Sequence, residues 1–303
     1  MNKIPPRLFQ IYKPPGITSY DILRKVKKII PKSWGKIGHF GTLDPFAEGL
    51  LIVGVAGAAR LNDYIHAETT KTYLGTGILE KKTPTGDMTV EAEQIDDTPY
   101  LNDIISNFSV EFIQKQCQEK FVGEYWQAPP AFSAAKFEGK ALHEWAREGI
   151  KIKKEPKKRT IFSLKVEKYE FPFLTIRFEV SSGIYIRTFF VYCAALLGTY
   201  GTLQELVREK IGPISIEKCI TIEKLEAMDA SELLKNSFSP QEILDFEQLD
   251  LSGSAAISYK NGVVLKMTKA QEGRVWVSSE ESLLGLGLVE LGQLRPLLNF
   301  PTL

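Results

Sequence analysis

One segment of the chain, residues 160–181, constrains the fold more than any other because apolar and polar side chains alternate along it. The segment is rich in Val, Ile, Phe and Tyr, and Pro172 interrupts it. Alternation with a period of two is typical of strands that have one buried and one solvated face, and such strands belong to antiparallel sheets. The segment therefore predicts two antiparallel strands joined near Pro172.

Further strands and helices are predicted on both sides of this pair. The strands are Leu8–Tyr12, Leu50–Ala56 and Lys71–Ile78, and the helices run from Thr18 or Ser19 to Pro31 and over Val110–Phe121, Ala141–Glu148 and Arg187–Leu197. The apolar positions of the second helix are predicted to be Phe112, Ile113, Cys117 and Phe121. In the first helix, Ile22 and Val26 recur at helical spacing and lysines fill the other face. Together these patterns predict an α+β fold with a mixed, largely antiparallel sheet.

The end of the chain predicts a separate small module. Its 303 residues are enough for one large domain and a second small one. After an acid-rich stretch at Glu223–Asp250, residues 254–298 contain strand-like runs broken by glycines. We predict a large domain at 1–248 and a small β-rich module at 249–303.

Composition limits the class of protein. No run approaches the roughly 18 to 20 apolar residues that cross a bilayer, and the N-terminus lacks the apolar segment of a signal peptide. A cytoplasmic location is therefore the default expectation. Cys117, Cys193 and Cys219 form no CxxC pair, which predicts reduced packing residues rather than a zinc site or a disulfide framework.

Charge is unevenly distributed, although the net charge is only +1. One basic segment holds Lys25, Lys27, Lys28, Lys32 and Lys36, and a second holds Lys151, Lys153, Lys154, Lys157, Lys158 and Arg159. Each segment can hold a phosphate backbone, but a run of this kind taken alone is more often a solvated face. Charge alone leaves both interpretations open.

A glycine-rich stretch directly before the predicted strand at 50–56 is the strongest local signal. Gly35–Gly49 contains four glycines and Pro45, so an irregular structure is predicted. Within it, Gly38–Gly49 reads GHFGTLDPFAEG and places Asp44 directly before the proline. Such a loop can present a carboxylate to a ligand, or it can be a tight turn in which Asp44 bonds its own backbone.

Several motifs in this order resemble the TruB-type pseudouridine synthases. The opening pair is Lys13–Ser19 (KPPGITS) with Gly38–Pro45 (GHFGTLDP), and then come Lys71–Tyr73 (KTY), Gln127–Lys136 (QAPPAFSAAK) with Ala146–Gly149 (AREG), Gly183–Arg187 (GIYIR) and Leu203–Arg208 (LQELVR). The resemblance spans about residues 8–215 and implies the pseudouridine synthase type of catalytic domain. It also implies that 249–303 is an RNA-binding-like module.

The resemblance implies a mechanism without a metal or an organic cofactor. A uridine is flipped out of the RNA, its glycosidic bond is broken, and carbon 5 is rejoined to the sugar. Asp44 matches the essential aspartate, and an ionised carboxylate needs no activation at neutral pH. Arg187 matches the arginine that pairs with this aspartate, and Tyr73 matches the tyrosine that stacks on the flipped base and is the candidate for proton transfer.

Four further residues are implied to bind the substrate. His39 matches the histidine that fills the gap left by the flipped base, Tyr185 and Leu206 match positions that line the uracil pocket, and Lys13 is expected to support the catalytic loop. Taken alone, each of the four is an ordinary loop or core residue. The implied partner is the T-arm stem-loop of tRNA with uridine 55 as the target, and the expected state is a monomer.

This chain departs from the family pattern at three places. Glu48 stands where threonine is usual, Tyr192 where aspartate is usual, and Thr83-Pro84-Thr85 where a threonine-aspartate-threonine segment is usual. These departures affect the expected loop details and not the three catalytic residues. Two alternatives stay open: a non-catalytic RNA-binding or RNA-folding protein on the same scaffold, and a pseudouridine synthase that acts on another RNA.

Overall fold

A computed structural model describes residues 4–98, 101–267, 271–280 and 282–301 of the chain. The strands are β1 (Arg7–Lys13), β2 (Gly38–His39), β3 (Glu48–Val55), β4 (Lys71–Leu79), β5 (Lys81–Lys82), β6 (Gln94–Ile95), β7 (Gly123–Gln127), β8 (Lys136–Phe137), β9 (Lys140–Ala141), β10 (Lys157–Glu170), β11 (Phe173–Val180), β12 (Gly201–Ile211), β13 (Ile214–Ser215), β14 (Glu247–Asp250), β15 (Leu265–Lys266), β16 (Gly273–Ser279), β17 (Ser282–Glu290) and β18 (Gln293–Asn299). The helices are α1 (Ser19–Ile29), α2 (Asn62–Glu68), α3 (Leu101–Ser106), α4 (Val110–Phe121), α5 (Leu142–Arg147), α6 (Ile186–Leu196), α7 (Ile222–Ala227), α8 (Ala230–Lys235) and α9 (Gly253–Lys260).

The chain divides into two compact units. The first comprises Met1–Pro45, Gly49–Thr69 and Gly212–Leu303, and the second comprises Phe46–Glu48 and Thr70–Ile211. Residues 249–303, the predicted small module, fall within the first unit. The predicted boundary at 248/249 stays a prediction. The predicted fold class is confirmed, since the chain combines helices with runs of consecutive strands and the strand pairing is mostly antiparallel.

The second unit contains an antiparallel sheet with the strand order β12-β4-β11-β10-β7. The strands predicted at 160–181 are β10 and β11, and the helix predicted over Arg187–Leu197 is α6. This helix lies close to the sheet because β4 carries glycine beneath it. A Cβ atom on Gly77 would stand only 2.2 Å from the Phe190 ring, so only glycine permits the approach.

In the first unit, β1 pairs with β3, and α1 packs on them through Ile22 and Val26. The side chain of Thr18 caps this helix and forms a capping box with Asp21, which confirms the predicted start. The tail forms the predicted β module as a sheet of order β14-β16-β17-β18-β15 with its own apolar cluster. Helix α9 in this tail was not predicted, because the glycines and strand-like runs around it dominate the pattern.

Three details differ from the sequence predictions. Gly38 and His39 were predicted to be irregular but pair with Gly54 and Val53 as the short strand β2. Phe112 was predicted as a buried position and is 43% exposed, because the buried face of α4 follows Ile113, Cys117 and Phe121. Strand β12 was not predicted as a strand, because charged residues interrupt the alternation of apolar and polar side chains along it.

Two of the cysteines are neighbours in space. The Sγ atoms of Cys117 and Cys193 lie 3.3 Å apart, and both residues are buried free thiols. The contact with Cys117 and the burial raise the pKa of the Cys193 thiol well above its ordinary value. This agrees with their predicted role in packing. Among the helices that the structure describes, none is both long enough and apolar enough to cross a membrane.

Candidate functional site

The backbone on both sides of Asp44 is anchored by side chains that the first motif supplies. The hydroxyl of Ser19 accepts a hydrogen bond from the Leu43 N–H at 2.9 Å and donates to the Leu43 carbonyl at 3.2 Å. On the other side, the Lys13 ammonium donates to the Pro45 carbonyl at 3.1 Å, and the Gly16 N–H donates to the same oxygen at 2.8 Å. Hydrogen bonds therefore fix the backbone on both sides of Asp44. The Asp44 residue itself is half-buried.

Lys13 is fully buried, and its ammonium also donates to the Pro14 carbonyl at 2.9 Å. Burying a cation costs free energy unless polar groups replace its water. The two carbonyl oxygens offset part of this cost, because they accept hydrogen bonds from the ammonium group. Lys13 contacts the loop backbone. Such contacts are expected of a residue that supports the loop. The predicted role of Lys13 in substrate binding stays a prediction.

The loop is also held from the side of β3. His39 pairs with Val53, the Phe40 N–H donates to the Ile52 carbonyl at 3.0 Å, and the Phe40 ring lies over Gly54. A Cβ atom on Gly54 would be 2.9 Å from that ring, so the glycine allows the buried phenylalanine to sit there. The side chain of His39 is half-buried at the start of the loop.

In the second unit, Arg187 lies buried in the first turn of α6 and is tied to two other segments. Its Nη1 donates to the Thr85 carbonyl at 2.6 Å, and its Nη2 donates to the Phe132 carbonyl at 2.8 Å. The Asp87 carboxylate lies 3.5 Å from Nη1, and both side chains of this ion pair are buried. The guanidinium is therefore fixed in orientation before any substrate arrives.

Asp87 is itself held by a tight turn. Its Oδ1 accepts hydrogen bonds from the Thr85 hydroxyl at 2.9 Å, from the Thr89 N–H at 3.1 Å and from the Thr89 hydroxyl. The turn is attached to β12, because the Leu203 N–H donates to the Gly86 carbonyl at 3.0 Å. The sequence analysis missed Asp87. The available signal was its place directly after the departure at Thr83–Thr85, in a Gly-Asp turn.

Tyr73 and Leu206 lie on one face of the sheet. Tyr73 on β4 pairs with Arg208 of β12, and Leu206 of β12 pairs with Gly75, which is two residues further along β4. Both side chains are almost completely buried. Side chains alternate between the two faces of a sheet, and this register places Tyr73 and Leu206 on the same face of neighbouring strands. Two residues that line one pocket must be placed in this way.

Tyr185 is positioned by a glutamine that the sequence analysis did not single out. The Tyr185 N–H donates to Gln127 Oε1 at 2.8 Å, and Gln127 Nε2 donates to the Tyr185 carbonyl at 3.1 Å. Gln127 is buried, so this double hydrogen bond fixes the residue that caps α6. The glutamine begins the quoted motif at 127–136, which was the available signal.

The predicted site residues thus form two groups. Lys13, His39 and Asp44 gather around the anchored loop of the first unit, and Tyr73, Tyr185, Arg187 and Leu206 gather around α6, β4 and β12 of the second unit. The predicted ion pair of Asp44 with Arg187 joins residues of different units and stays a prediction. Within the described residues, no group of three or more His, Cys, Asp or Glu is placed to hold a metal ion.

Lys71 adds an unusual charge to the second unit. It is buried at the start of β4, and its ammonium donates to the Ser182 hydroxyl at 3.1 Å. Burial, followed by the nearby positive charges of Arg208 and Arg159, lowers the pKa of Lys71 from 10.5 to about 7. This lysine therefore changes charge near neutral pH.

The two basic segments are mostly exposed. In the first, Lys25 forms an ion pair with Glu226, while Lys27 and Lys28 face solvent on α1. In the second, Lys158 pairs with Glu124, and Lys154 donates to the Lys136 carbonyl at 2.6 Å. Most of the positive charge therefore remains accessible to an anionic partner.

Comparison with known proteins identifies the class. The N-terminal domain of the TruB family pseudouridylate synthases matches residues 27–186. The tRNA pseudouridine synthase B of Clostridium tetani is 31% identical over 92% of this chain and 94% of its own length, and that of Halalkalibacterium halodurans is 34% identical over 91% and 90%. The chain belongs to the TruB family of pseudouridylate synthases.

Solved structures support the fold. A chain from the structure of an H/ACA RNP bound to a substrate RNA containing 2'-deoxyuridine has a TM-score of 0.67 and 19% identity, over 98% of this chain and 85% of that chain. A chain of the archaeal box H/ACA sRNP Nop10-Cbf5 complex has a TM-score of 0.66 and 18% identity, over 98% and 88%. Both likenesses concern the architecture alone.

The lowered pKa of Lys71 predicts a specific dependence of stability on pH. Between pH 7 and pH 10.5 the unfolded chain holds a proton on Lys71 that the folded protein has released, so rising pH stabilises the fold across this window. We expect the unfolding free energy of the wild type, relative to that of Lys71→Met, to increase by up to about 1.4 kcal/mol per pH unit.

Chemical denaturation at pH 7, 8 and 9 measures this difference. The control is Lys210→Met, since Lys210 is exposed in the same unit and should not change the pH dependence. Parallel stability curves for the wild type and Lys71→Met would contradict the prediction.

Proposed function

We propose that this protein isomerises uridine to pseudouridine in tRNA. The observation that carries the proposal is the match of almost the whole chain to relatives named tRNA pseudouridine synthase B. The anchored loop around Asp44 supports it, because a carboxylate that attacks or stabilises a sugar must be held in place. The reaction needs no group other than side chains and the flipped base.

Asp44 is proposed as the catalytic residue. A carboxylate can act as a nucleophile or stabilise a cationic sugar without a base to activate it. The hydrogen bonds at Leu43 and Pro45 support this role, since they prevent the loop from moving the carboxylate away from the reacting atoms.

Arg187 and Tyr73 are proposed to complete the catalytic group. Arg187 is the proposed ion-pair partner of Asp44, and Asp87 holds its guanidinium in orientation. Tyr73 stacks on the flipped base and is the candidate to transfer a proton. Tyr185 and Leu206 line the uracil pocket, His39 takes the place of the flipped base, and Lys13 supports the loop.

The proposed substrate is uridine 55 in the T-arm loop of tRNA, and the proposed state of the protein is a monomer. A base in a loop costs less to flip than a base in a duplex, and sequence-specific recognition of RNA favours such loops. The exposed lysines of the two basic segments fit contact with stem phosphates, and the β module at 249–303 is proposed to add RNA contacts.

Replacing Asp44 tests the catalytic assignment. Asp44→Asn nearly keeps the size and removes the charge, so pseudouridine formation in a tRNA transcript should fall by more than about 1,000-fold while tRNA affinity changes little. Tritium release from labelled uridine and a filter-binding assay measure the two quantities.

The matched control is Asp63→Asn, an exposed carboxylate of the same unit, which should keep full activity. Turnover by Asp44→Asn close to that of the control would exclude Asp44 as the catalytic residue. A wild type that binds tRNA but never forms pseudouridine would instead favour the non-catalytic RNA-binding protein.

The ion pair in the second unit predicts an indirect effect. Asp87→Asn keeps an oxygen for the bonds from Thr85 and Thr89 but removes the charge that faces Arg187, so the guanidinium should shift. Turnover should fall about 10- to 100-fold, because small displacements of a catalytic group have effects of this order. Single-turnover rates and tRNA affinities separate the effect on chemistry from the effect on binding.

Asp96→Asn is the control, since Asp96 also accepts hydrogen bonds from threonines of this unit but faces no arginine among the described contacts. Arg187→Met should lower the rate at least as far as Asp87→Asn does. An Asp87→Asn rate equal to that of the Asp96 control would show that Arg187 does not depend on this carboxylate.

The substrate proposal predicts recognition of a folded hairpin. An isolated T-arm hairpin should be modified, and an unstructured strand with the same loop sequence should be a much poorer substrate. If four phosphates are held, affinity for the hairpin should fall by about 100-fold between 50 and 200 mM salt. Equal activity on the unstructured strand, or binding that ignores salt, would contradict recognition of the stem.

A further inference from the structure

The second unit carries an aromatic groove that the proposed catalytic residues do not use. It has a volume of about 510 Å³ and lies between the end of α4, strand β7 and the outer side of α6. Its lining includes Lys120, Phe121, Tyr125, Trp126, Tyr192 and Leu196. We name this feature the aromatic groove.

Two large side chains of the groove face solvent. Trp126 is 60% exposed and Tyr192 is 43% exposed, while Phe121 and Tyr125, which also line the groove, are buried and meet edge to face at 5.9 Å. Two exposed aromatic side chains at one groove mark it as a candidate binding surface.

The charge around the groove favours an anionic ligand. On the neighbouring strand β10, Lys158 lies directly opposite Trp126 and belongs to the second basic segment. The acidic residue of the lining, Glu124, is already paired with Lys158. Lys120 on the rim and Lys157 beside Lys158 add positive charge, so aromatic rings and lysines are interleaved at this edge.

The groove is too small for a stable protein partner. Eight residues line it, whereas a stable protein interface takes about 20 to 30 residues from each side. A single planar base fits the combination of exposed rings and adjacent cations, as in proteins that bind unpaired nucleic acid by stacking.

We propose that the aromatic groove stacks an unpaired nucleobase of the bound RNA, at a site separate from the uridine pocket. The inference rests on the proposed function for the presence of RNA. Tyr192 follows Arg187 by five residues, which is about 7.5 Å along the axis of α6. The groove also connects to the proposed pocket through Gln127, whose amide contacts the Tyr125 hydroxyl at 3.4 Å and binds the Tyr185 backbone.

Binding of an unmodified tRNA transcript to full-length variants tests the groove. Trp126→Ala and Tyr192→Ala should each lower affinity by about tenfold, as expected for the loss of one stacked base, and Trp126→Phe should keep most of it. The single-turnover rate at saturating protein should stay unchanged. Phe173→Ala is the matched control, because Phe173 is also exposed (41%) in the same unit but outside the groove.

A second measurement is independent of affinity. A base stacked on Trp126 should quench its fluorescence when tRNA is added to the wild type. The quenching should therefore be smaller in Trp126→Phe, which lacks this tryptophan. Unchanged tRNA affinity in Trp126→Ala and Tyr192→Ala, or quenching equal in wild type and Trp126→Phe, would overturn the inference. A wild-type dimer that dissociates in Trp126→Ala would overturn it in favour of a contact between copies.

The two proposals fail in different ways. Pseudouridine formation by the wild type together with full tRNA affinity in Trp126→Ala would reject the groove alone. Quenching that depends on Trp126, with no pseudouridine formed by the wild type, would reject the proposed activity and keep the groove.

Discussion

The hydrogen bonds from the buried Lys13 ammonium are the interaction on which the Asp44 loop depends. One side chain at the end of β1 contacts the carbonyls of Pro14 and Pro45, and so it joins the first motif to the second. Hydrogen bonds from a charged donor contribute about 1.5 to 3 kcal/mol each, and leaving a buried cation without them is costly. The glycines and prolines around Asp44 therefore adopt one conformation although their sequence permits several.

A second buried cation organises the other unit in the same way. Arg187 connects the start of α6, the turn at Thr85 and the segment at Phe132, and the Asp87 carboxylate balances its charge. A planar guanidinium that meets three groups has little freedom to rotate. In both units a residue with a proposed role in the reaction is held by contacts that exist before RNA binds, which lowers the entropy lost on reaching a reactive geometry.

Much of the fold followed from periodic patterns. Strands β10 and β11, helix α6 and the capped start of α1 were predicted because each has a local cause in alternation, helical spacing or capping. Helix α9, strand β12 and the short strand β2 were not predicted. Their residues have mixed local preferences, and hydrogen bonds to partners distant in sequence decide their conformation, as the pairing of Gly38 and His39 with β3 illustrates.

By itself, the sequence determined the family, the order of its motifs and the candidate residues Asp44, Tyr73 and Arg187, because these depend on residue identity and spacing. Only the tertiary structure decided that Ser19 anchors Leu43, that Asp87 faces Arg187, that Gln127 holds Tyr185 and that Trp126 shares a groove with Tyr192. These partners lie 24 to 100 residues apart along the chain. Local conformational preferences do not determine which of the distant side chains come into contact. Packing of helices on the sheet brings them within hydrogen-bonding distance, and that depends on the whole unit.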